Sequence, residues 1–355
     1  MLEPIYSRIA FFIVPVLICA ALIPLYIRIA MAWGIVDKPN ARKQHAGHVP
    51  LVGGFAVFTS AFVAMYIFMP NSEYLPMMGI ASVLVLTGVL DDYFDLSSGS
   101  RFFIQIVAAI LMIVIADNKI SSVGNLIGTG PVLLSIGFGF AFTILCTVGV
   151  INAVNMLDGM DGLAGVTIFI SFTGLGLLAW LGGHSVIAQQ LLIFNSALLA
   201  FLFFNMRLLI PRAIIFLGDS GSMFLGFILC WYSLKLSQGA QTSLSPVSAG
   251  WIFGLPLADI IVVIVHRISN GRSPFSADRD HLHHLLLDTG MTVNKTLATL
   301  AAVHGLMVAI GIFVVFAPQL EPILFWIFIV IVLFHYFIIA PRLRKLAYTK
   351  SISAQ

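Results

Sequence analysis

Eleven stretches of mostly apolar residues, each near the roughly twenty that cross a bilayer, leave this chain very few folds to adopt. They lie near 9–32, 51–69, 77–90, 102–116, 131–150, 163–181, 188–204, 222–237, 249–265, 296–316 and 323–340. In hydrocarbon each segment must satisfy its own backbone hydrogen bonds, which favours helices. The expected fold is therefore all-α, a polytopic integral membrane protein with about 11 transmembrane helices. The third and fourth runs are short, and Pro256 is expected to break or bend the ninth. Composition agrees: 60% of the 355 residues are hydrophobic and 9% charged, against roughly 25% charged in soluble domains. No internal repeat or low-complexity tract divides residues 1–355, so a single membrane-embedded domain is expected, with its chemistry in loops.

The formal charge of +3 is too small to suggest a nucleic-acid partner. Cys19, Cys146 and Cys230 all fall in apolar runs, with no CxxC or Cys/His zinc spacing, and read as packing residues. The first apolar run is long, contains Pro15 and Pro24 and lacks a small-residue cleavage site after it, so no cleavable signal is expected. Basic residues in such a chain report topology. The loops after the odd-numbered runs and the C-terminal tail hold Lys38, Arg42, Lys43, Arg101, Arg207, Arg212, Arg267, Arg272, Arg279, Lys295, Arg342, Arg344, Lys345 and Lys350. The other side has Arg8, Lys119 and Lys235. This asymmetry places the odd loops and the C-terminus in the cytoplasm and the N-terminus outside, periplasmic in a bacterium.

The acids of interest then share the cytoplasmic side, on loops near 34–52, 91–101, 151–162, 205–222 and 266–295. Asp91 and Asp92 close the third run. Adjacent carboxylates repel, are costly near lipid and are disfavoured by the dipole at a helix C-terminus, so a cation or donor beside them is expected unless the end is simply solvated. In the run Asn152-Ala-Val-Asn155-Met-Leu-Asp158-Gly-Met-Asp161, a polar residue recurs every third position. On helical backbone the four would form one stripe, able to ligate a hard cation or bond phosphate and ribose oxygens; a polar loop is the plainer reading. A calcium EF-hand lacks its acid at the twelfth position here.

Phe216-Leu-Gly-Asp219-Ser-Gly-Ser222 sits where the eighth run begins. An acid between glycines at a helix start suits a metal ligand beside phosphate, though such strings also serve as turns and caps. The loop from Ser273 to His284 carries Arg279, His281, His283 and His284. His281 and His284 admit a zinc reading, but phosphate or sugar binding suits imidazoles beside an arginine better. Asp259 lies inside the ninth run, where an acid either serves function or pairs with a neighbour.

Taken together, His48-Val-Pro-Leu-Val-Gly-Gly54, Asp91-Asp92, the 152–163 run, Phe216–Ser222 and the 273–284 loop resemble the polyprenyl-phosphate N-acetylhexosamine-1-phosphate transferases (glycosyltransferase family 4) over nearly the whole chain. Within that family, Val36-Asp-Lys-Pro-Asn40 and the 273–284 loop are similar to the bacterial undecaprenyl-phosphate N-acetylglucosaminyl-1-phosphate transferases. The enzymes handling UDP-MurNAc-pentapeptide carry three consecutive histidines in this loop; here Leu282 interrupts them, which favours the smaller GlcNAc donor. The family also places a lysine where this chain has Ala46, so no lysine role transfers there.

The resemblance implies transfer of GlcNAc-1-phosphate from UDP-GlcNAc to undecaprenyl phosphate, giving GlcNAc-diphospho-undecaprenol and UMP with Mg²⁺ or Mn²⁺. Such a reaction starts a lipid-linked surface polysaccharide of the O-antigen or enterobacterial-common-antigen type, on the cytoplasmic face of the inner membrane. Another UDP-N-acetylhexosamine or UDP-MurNAc-pentapeptide is the alternative donor, and a homodimer is left open. By this resemblance Asp219 is the first metal ligand and Asn155 the second. Asp91 or Asp92 orients or deprotonates the lipid phosphate, while Asp158 and Asp161 contact the nucleotide or help hold the metal. Asn152, Arg279, His281, His283 and His284 bind the donor. Elementary electrostatics agrees with the metal, since unit charges ~4 Å apart repel by about 4 kcal/mol at an effective dielectric of ~20. A transporter is the rival class, but its charges would sit near the midplane within repeats.

Overall fold

The computed structural model describes residues 3–37, 47–69, 74–207, 211–239, 241–274, 276 and 278–353. The motif portion Lys38–Asn40, Ala46, the cations Arg42 and Lys43, and Phe275 and Ala277 of the histidine loop lie outside the described residues.

Each expected apolar run contains helix. α1 (Glu3–Trp33), α2 (Gly53–Phe68), α3 (Leu75–Phe94), α4 (Ser98–Ala116), α5 (Ile136–Leu157), α6 (Leu163–Leu181), α7 (Ser185–Asn205) and α8 (Gly218–Ser237) come first. α9 (Pro246–Ile252), α10 (Gly254–Ser269), α11 (Leu282–Asp288), α12 (Val293–Phe316), α13 (Glu321–Phe334) and α14 (Ala340–Ser353) complete the chain. Among the described residues, eight helices are long and apolar enough to cross a membrane, or nine if the bent α9–α10 pair counts as one span. α2 is apolar but shorter than those eight. The chain is thus an all-α, multi-pass membrane protein.

Element boundaries follow local chemistry. α5 begins at Ile136 because the Ser135 hydroxyl accepts the Phe138 backbone N–H, five residues later than the apolar run suggested. The residues before it are drawn aside by an isolated bridge between Ser122 and Leu133. The ninth run is broken by an 81° bend between α9 and α10. The break lies at Phe253, ahead of Pro256, which sits in the first turn of α10 where a missing N–H costs nothing. At the break the Ile252 carbonyl accepts the Ser171 hydroxyl at 2.9 Å, and that hydroxyl oxygen in turn meets His304 Nε2 at 2.9 Å. Broken backbone inside a membrane span needs such a substitute partner.

α8 is the central element, buried along almost its whole length and packed against α2, α3 and α5. Its own Phe224, Phe227 and Tyr232 are buried, and Phe194 of α7 packs against Phe224 and Tyr232. The approach to α2 and α3 is backbone to backbone. A Cβ on Gly54 would lie 2.0 Å from the Gly221 Cα, and one on Gly88 would lie 2.2 Å from the Ser220 Cα. Just before α8, a short extended strip is stitched to the start of α2. Phe216 N–H donates to the Pro50 carbonyl, while Gly53 and Gly54 donate to the carbonyls of Phe216 and Leu217. Pro50 also belongs to a two-residue antiparallel ladder, β1 (Val36–Asp37) against β2 (Val49–Pro50). These contacts fix where the amino end of α8 lies before any substrate is considered.

Candidate active site

The carboxyl ends of α3 and α5 meet the amino ends of α4 and α8, and this junction gathers Asp91, Asp92, Asn155 and Asp219. Asp92 accepts the backbone N–H of Asp219 through Oδ1 at 3.0 Å and that of Ser220 through Oδ2 at 3.4 Å. It therefore satisfies donors that the start of α8 cannot pair internally. Gly218, at φ +74°, turns the chain into α8; a Cβ there would approach Asp92 Oδ2 to 2.7 Å.

Asp91 faces the other way, into the site. Its Oδ1 accepts the Leu96 backbone N–H at 2.8 Å and its Oδ2 takes Arg101 at 2.9 Å. The Asp219 carboxylate stands within hydrogen-bonding reach of Asp91 and lies 3.7 Å from the same guanidinium. Asn155 donates from its amide nitrogen to Asp219 Oδ1, and to the Ser222 hydroxyl at 2.9 Å. Two carboxylates, one amide oxygen left over and one guanidinium make an oxygen-rich site whose acids outnumber its arginine. That donor set fits a hard divalent cation.

Asn152 lies one turn before Asn155 on α5 and donates to Gln105 Oε1 at 2.6 Å. These two residues, with Ser98, Arg101, Phe102, Asn155, Met156 and Met223, line a cleft beside the acids. The expected four-residue stripe is only half helical. α5 ends at Leu157, Asp158 is its cap, and Asp161 lies in the turn that follows. Asp161 is held by Arg207 rather than by the Asp219 group. The turn itself is pinned by Asn205, whose carboxamide accepts Gly162 N–H at 2.7 Å and donates to the Ile215 carbonyl at 2.8 Å.

The histidine loop reaches the same turn. A Cβ on Gly159 would lie 2.5 Å from His283 Nε2, so the imidazole rests on the backbone beside Asp158. The three rings form a column, with centroids 6.0 Å apart from His281 to His283 and 4.1 Å from His283 to His284. Among the described residues neither nitrogen of His283 has a partner, nor has His284 Nδ1. Burial, followed by the adjoining imidazoles and Arg279, pushes His283 down to about 3 and His284 to about 4, so both rings are neutral at ordinary pH. His281 Nδ1 instead meets Asp259 Oδ2 at 2.8 Å, and Arg279 pairs with Asp288 at 2.8 Å.

The loop is braced from two helices. Arg267 grips Asp278 through both carboxylate oxygens, at 2.8 and 2.9 Å, and donates to the Pro274 carbonyl. Burial alone would raise the Asp278 carboxyl, but Arg267 holds it below the usual range. From α14, Arg344 takes Asp280 at 2.8 Å. Arg101, Arg207 and Arg267 thus serve the site, although in the sequence they signal only topology. Gln105 was missed as well; its one signal was polarity inside an apolar run.

Residues 74–237 match the profile of Glycosyl transferase family 4. The chain is 35% identical over 325 residues to an undecaprenyl-phosphate alpha-N-acetylglucosaminyl 1-phosphate transferase of Salmonella typhi, covering 90% of this chain and 86% of that one. Proteins of the same name from Escherichia coli K12 (34% identity; 90% and 86% covered) and Haemophilus influenzae (34%; 79% of each chain) are similarly related.

Proposed function

This chain belongs to glycosyl transferase family 4, and we propose that the site at the head of α8 transfers GlcNAc-1-phosphate from UDP-GlcNAc to undecaprenyl phosphate. The observation that carries this reading is the meeting of Asp91, Asp219, Asn155 and Arg101 at one end of a bundle of apolar helices. Oxygen donors there serve a polyanionic reaction, and a transferase joining a lipid to a nucleotide sugar needs them at the membrane surface. The loop charges favour the cytoplasmic face of a bacterial inner membrane, with the N-terminus outside and about 11 spans once α2, α8 and the bent pair are counted.

An oxygen of the lipid phosphate attacks the sugar-bearing phosphorus of the donor. The bond from that phosphorus to the UMP oxygen breaks, leaving GlcNAc-diphospho-undecaprenol and UMP. A phosphate monoester with a second pKa near ~6 is already largely a dianion at neutral pH, so direct attack needs little activation. Asp91 and Arg101 orient the lipid phosphate, the guanidinium by attraction and the acid through the hydrogen bond that fixes that guanidinium. Asp219 and Asn155 would hold Mg²⁺ or Mn²⁺ together with phosphate oxygens, Asp91 standing next in reach. When bound, the cation offsets repulsion between the two phosphates and among the acids. Asp92 positions Asp219 through the backbone, while Asn152 lines the adjoining cleft. Asp158, Asp161 and the column His281–His283–His284 form the donor side, with Arg279 at its edge.

Purified protein given undecaprenyl phosphate and a panel of radiolabelled UDP-sugars tests the reading. Cation-dependent lipid-linked GlcNAc with release of UMP is expected. Preferential use of UDP-MurNAc-pentapeptide or another UDP-N-acetylhexosamine, or release of UDP, would overturn it.

A further inference from the structure

One buried acid belongs to neither the oxygen cluster nor the loop braces. Asp259 is 3% exposed, lies inside α10 and directs both carboxylate oxygens at the start of α11. Oδ1 accepts the Leu282 backbone N–H at 2.9 Å, and Oδ2 meets His281 Nδ1 at 2.8 Å. His281 is itself buried, and its ring stacks on His283, the middle ring of the column, which rests against Gly159. A carboxylate accepts hydrogen bonds and does not donate them, so Nδ1 must carry the proton. The remaining nitrogen, Nε2, is the one not committed to Asp259. Neutral, it accepts from a hydroxyl; protonated, it donates to a phosphate.

We propose that Asp259 is a positioning residue for the transfer reaction, acting through His281 by fixing which ring nitrogen faces the donor substrate. This rests on the reading of the histidine column as the donor side. A carboxamide at 259 reverses the relation, because its N–H₂ can donate to Nδ1 and drive the proton to Nε2. A carboxylate behind a functional imidazole typically matters by ten- to a hundredfold, as with orienting partners of metal-bound histidines.

A double-mutant cycle decides between positioning and plain helix capping. The variants are Asp259→Asn, His281→Ala and the pair, each assayed for kcat and donor KM with UDP-GlcNAc and undecaprenyl phosphate, with thermal unfolding in detergent measured alongside. If Asp259 acts through His281, Asp259→Asn lowers kcat/KM about ten- to a hundredfold alone. In the His281→Ala background the same change then costs less than about twofold. Equal losses in both backgrounds would reduce Asp259 to a cap on Leu282 and overturn the proposal, as would unchanged kinetics in the single variant. If wild-type protein makes no GlcNAc-linked lipid while another UDP-sugar is used, the donor assignment fails separately; the cycle is then run with that sugar and still tests the pair.

Discussion

Asp92 and Asp219 are joined through backbone rather than through side chains: the Asp92 carboxylate accepts the Asp219 N–H at 3.0 Å and leaves the Asp219 carboxylate turned toward Asn155 and Arg101. Neighbouring acids in sequence, Asp91 and Asp92, therefore have different partners, one meeting Arg101 in the acid cluster and one holding the start of α8.

Replacing Asp92 by Ala leaves the Asp219 and Ser220 donors unmatched. Hydrogen bonds to charged groups are worth roughly 1.5–3 kcal/mol, so unfolding of the detergent-solubilised protein should be easier by about that much, with Asp92→Asn milder. Unchanged thermal stability beside lost turnover would show instead that Asp92 touches substrate.

Asp219→Asn keeps an oxygen that can accept from Asn155, so the protein should insert and fold. Removing the charge should lower activity by at least about a hundredfold and raise the Mg²⁺ concentration for half-maximal rate by a similar order. A metal titration of the variant checks this. Unaltered metal dependence would make Asp219 a structural turn residue.

Arg279 pairs with Asp288 on an exposed surface, where such pairs contribute little, and is therefore available to a diphosphate. Arg279→Ala should raise donor KM about tenfold, the low end for a lost charged hydrogen bond, while lipid-phosphate KM and Mg²⁺ dependence stay near normal. Normal donor binding would remove Arg279 from the site. Elemental analysis runs alongside, since stoichiometric zinc would reassign the histidines.

The buried His283 ring carries a pH signature. Its folded value is lowered to about 3 from an ordinary 6.5. The unfolded chain therefore binds a proton that the folded one refuses, and stability falls as pH drops below about 6.5. The slope approaches 1.4 kcal/mol per pH unit for one such group. Denaturation midpoints measured between pH 7 and 5 should fall, and His283→Gln should flatten the decline. A slope identical in wild type and variant would contradict the neutral, buried ring.

The helical segments were readable because lipid permits so little else: runs such as 163–181 coincide with α6 at both ends. The Asp219 motif was readable because glycines flank an acid at a helix start. What escaped was pairing across long separations. Arg101, Arg207 and Arg267 looked like topology signals, and only the folded chain sets them against Asp91, Asp161 and Asp278. The bend at Phe253 was misplaced onto Pro256, since the partners that stabilise it, Ser171 and His304, come from other helices. Asp259 stayed ambiguous for the same reason, its histidine lying 22 residues away.

The glycine contacts at Gly54, Gly88 and Gly221 set the acid cluster by main-chain abutment, whereas the histidine loop hangs from side-chain ion pairs at Arg267 and Arg344. The two parts of the candidate site are thus built from different materials. Under the proposed reading, side-chain replacement can reshape the histidine loop while the abutting helices keep the acid cluster in register. A scaffold of this kind is modular: its choice of donor can be re-engineered without redesigning the machinery that transfers it.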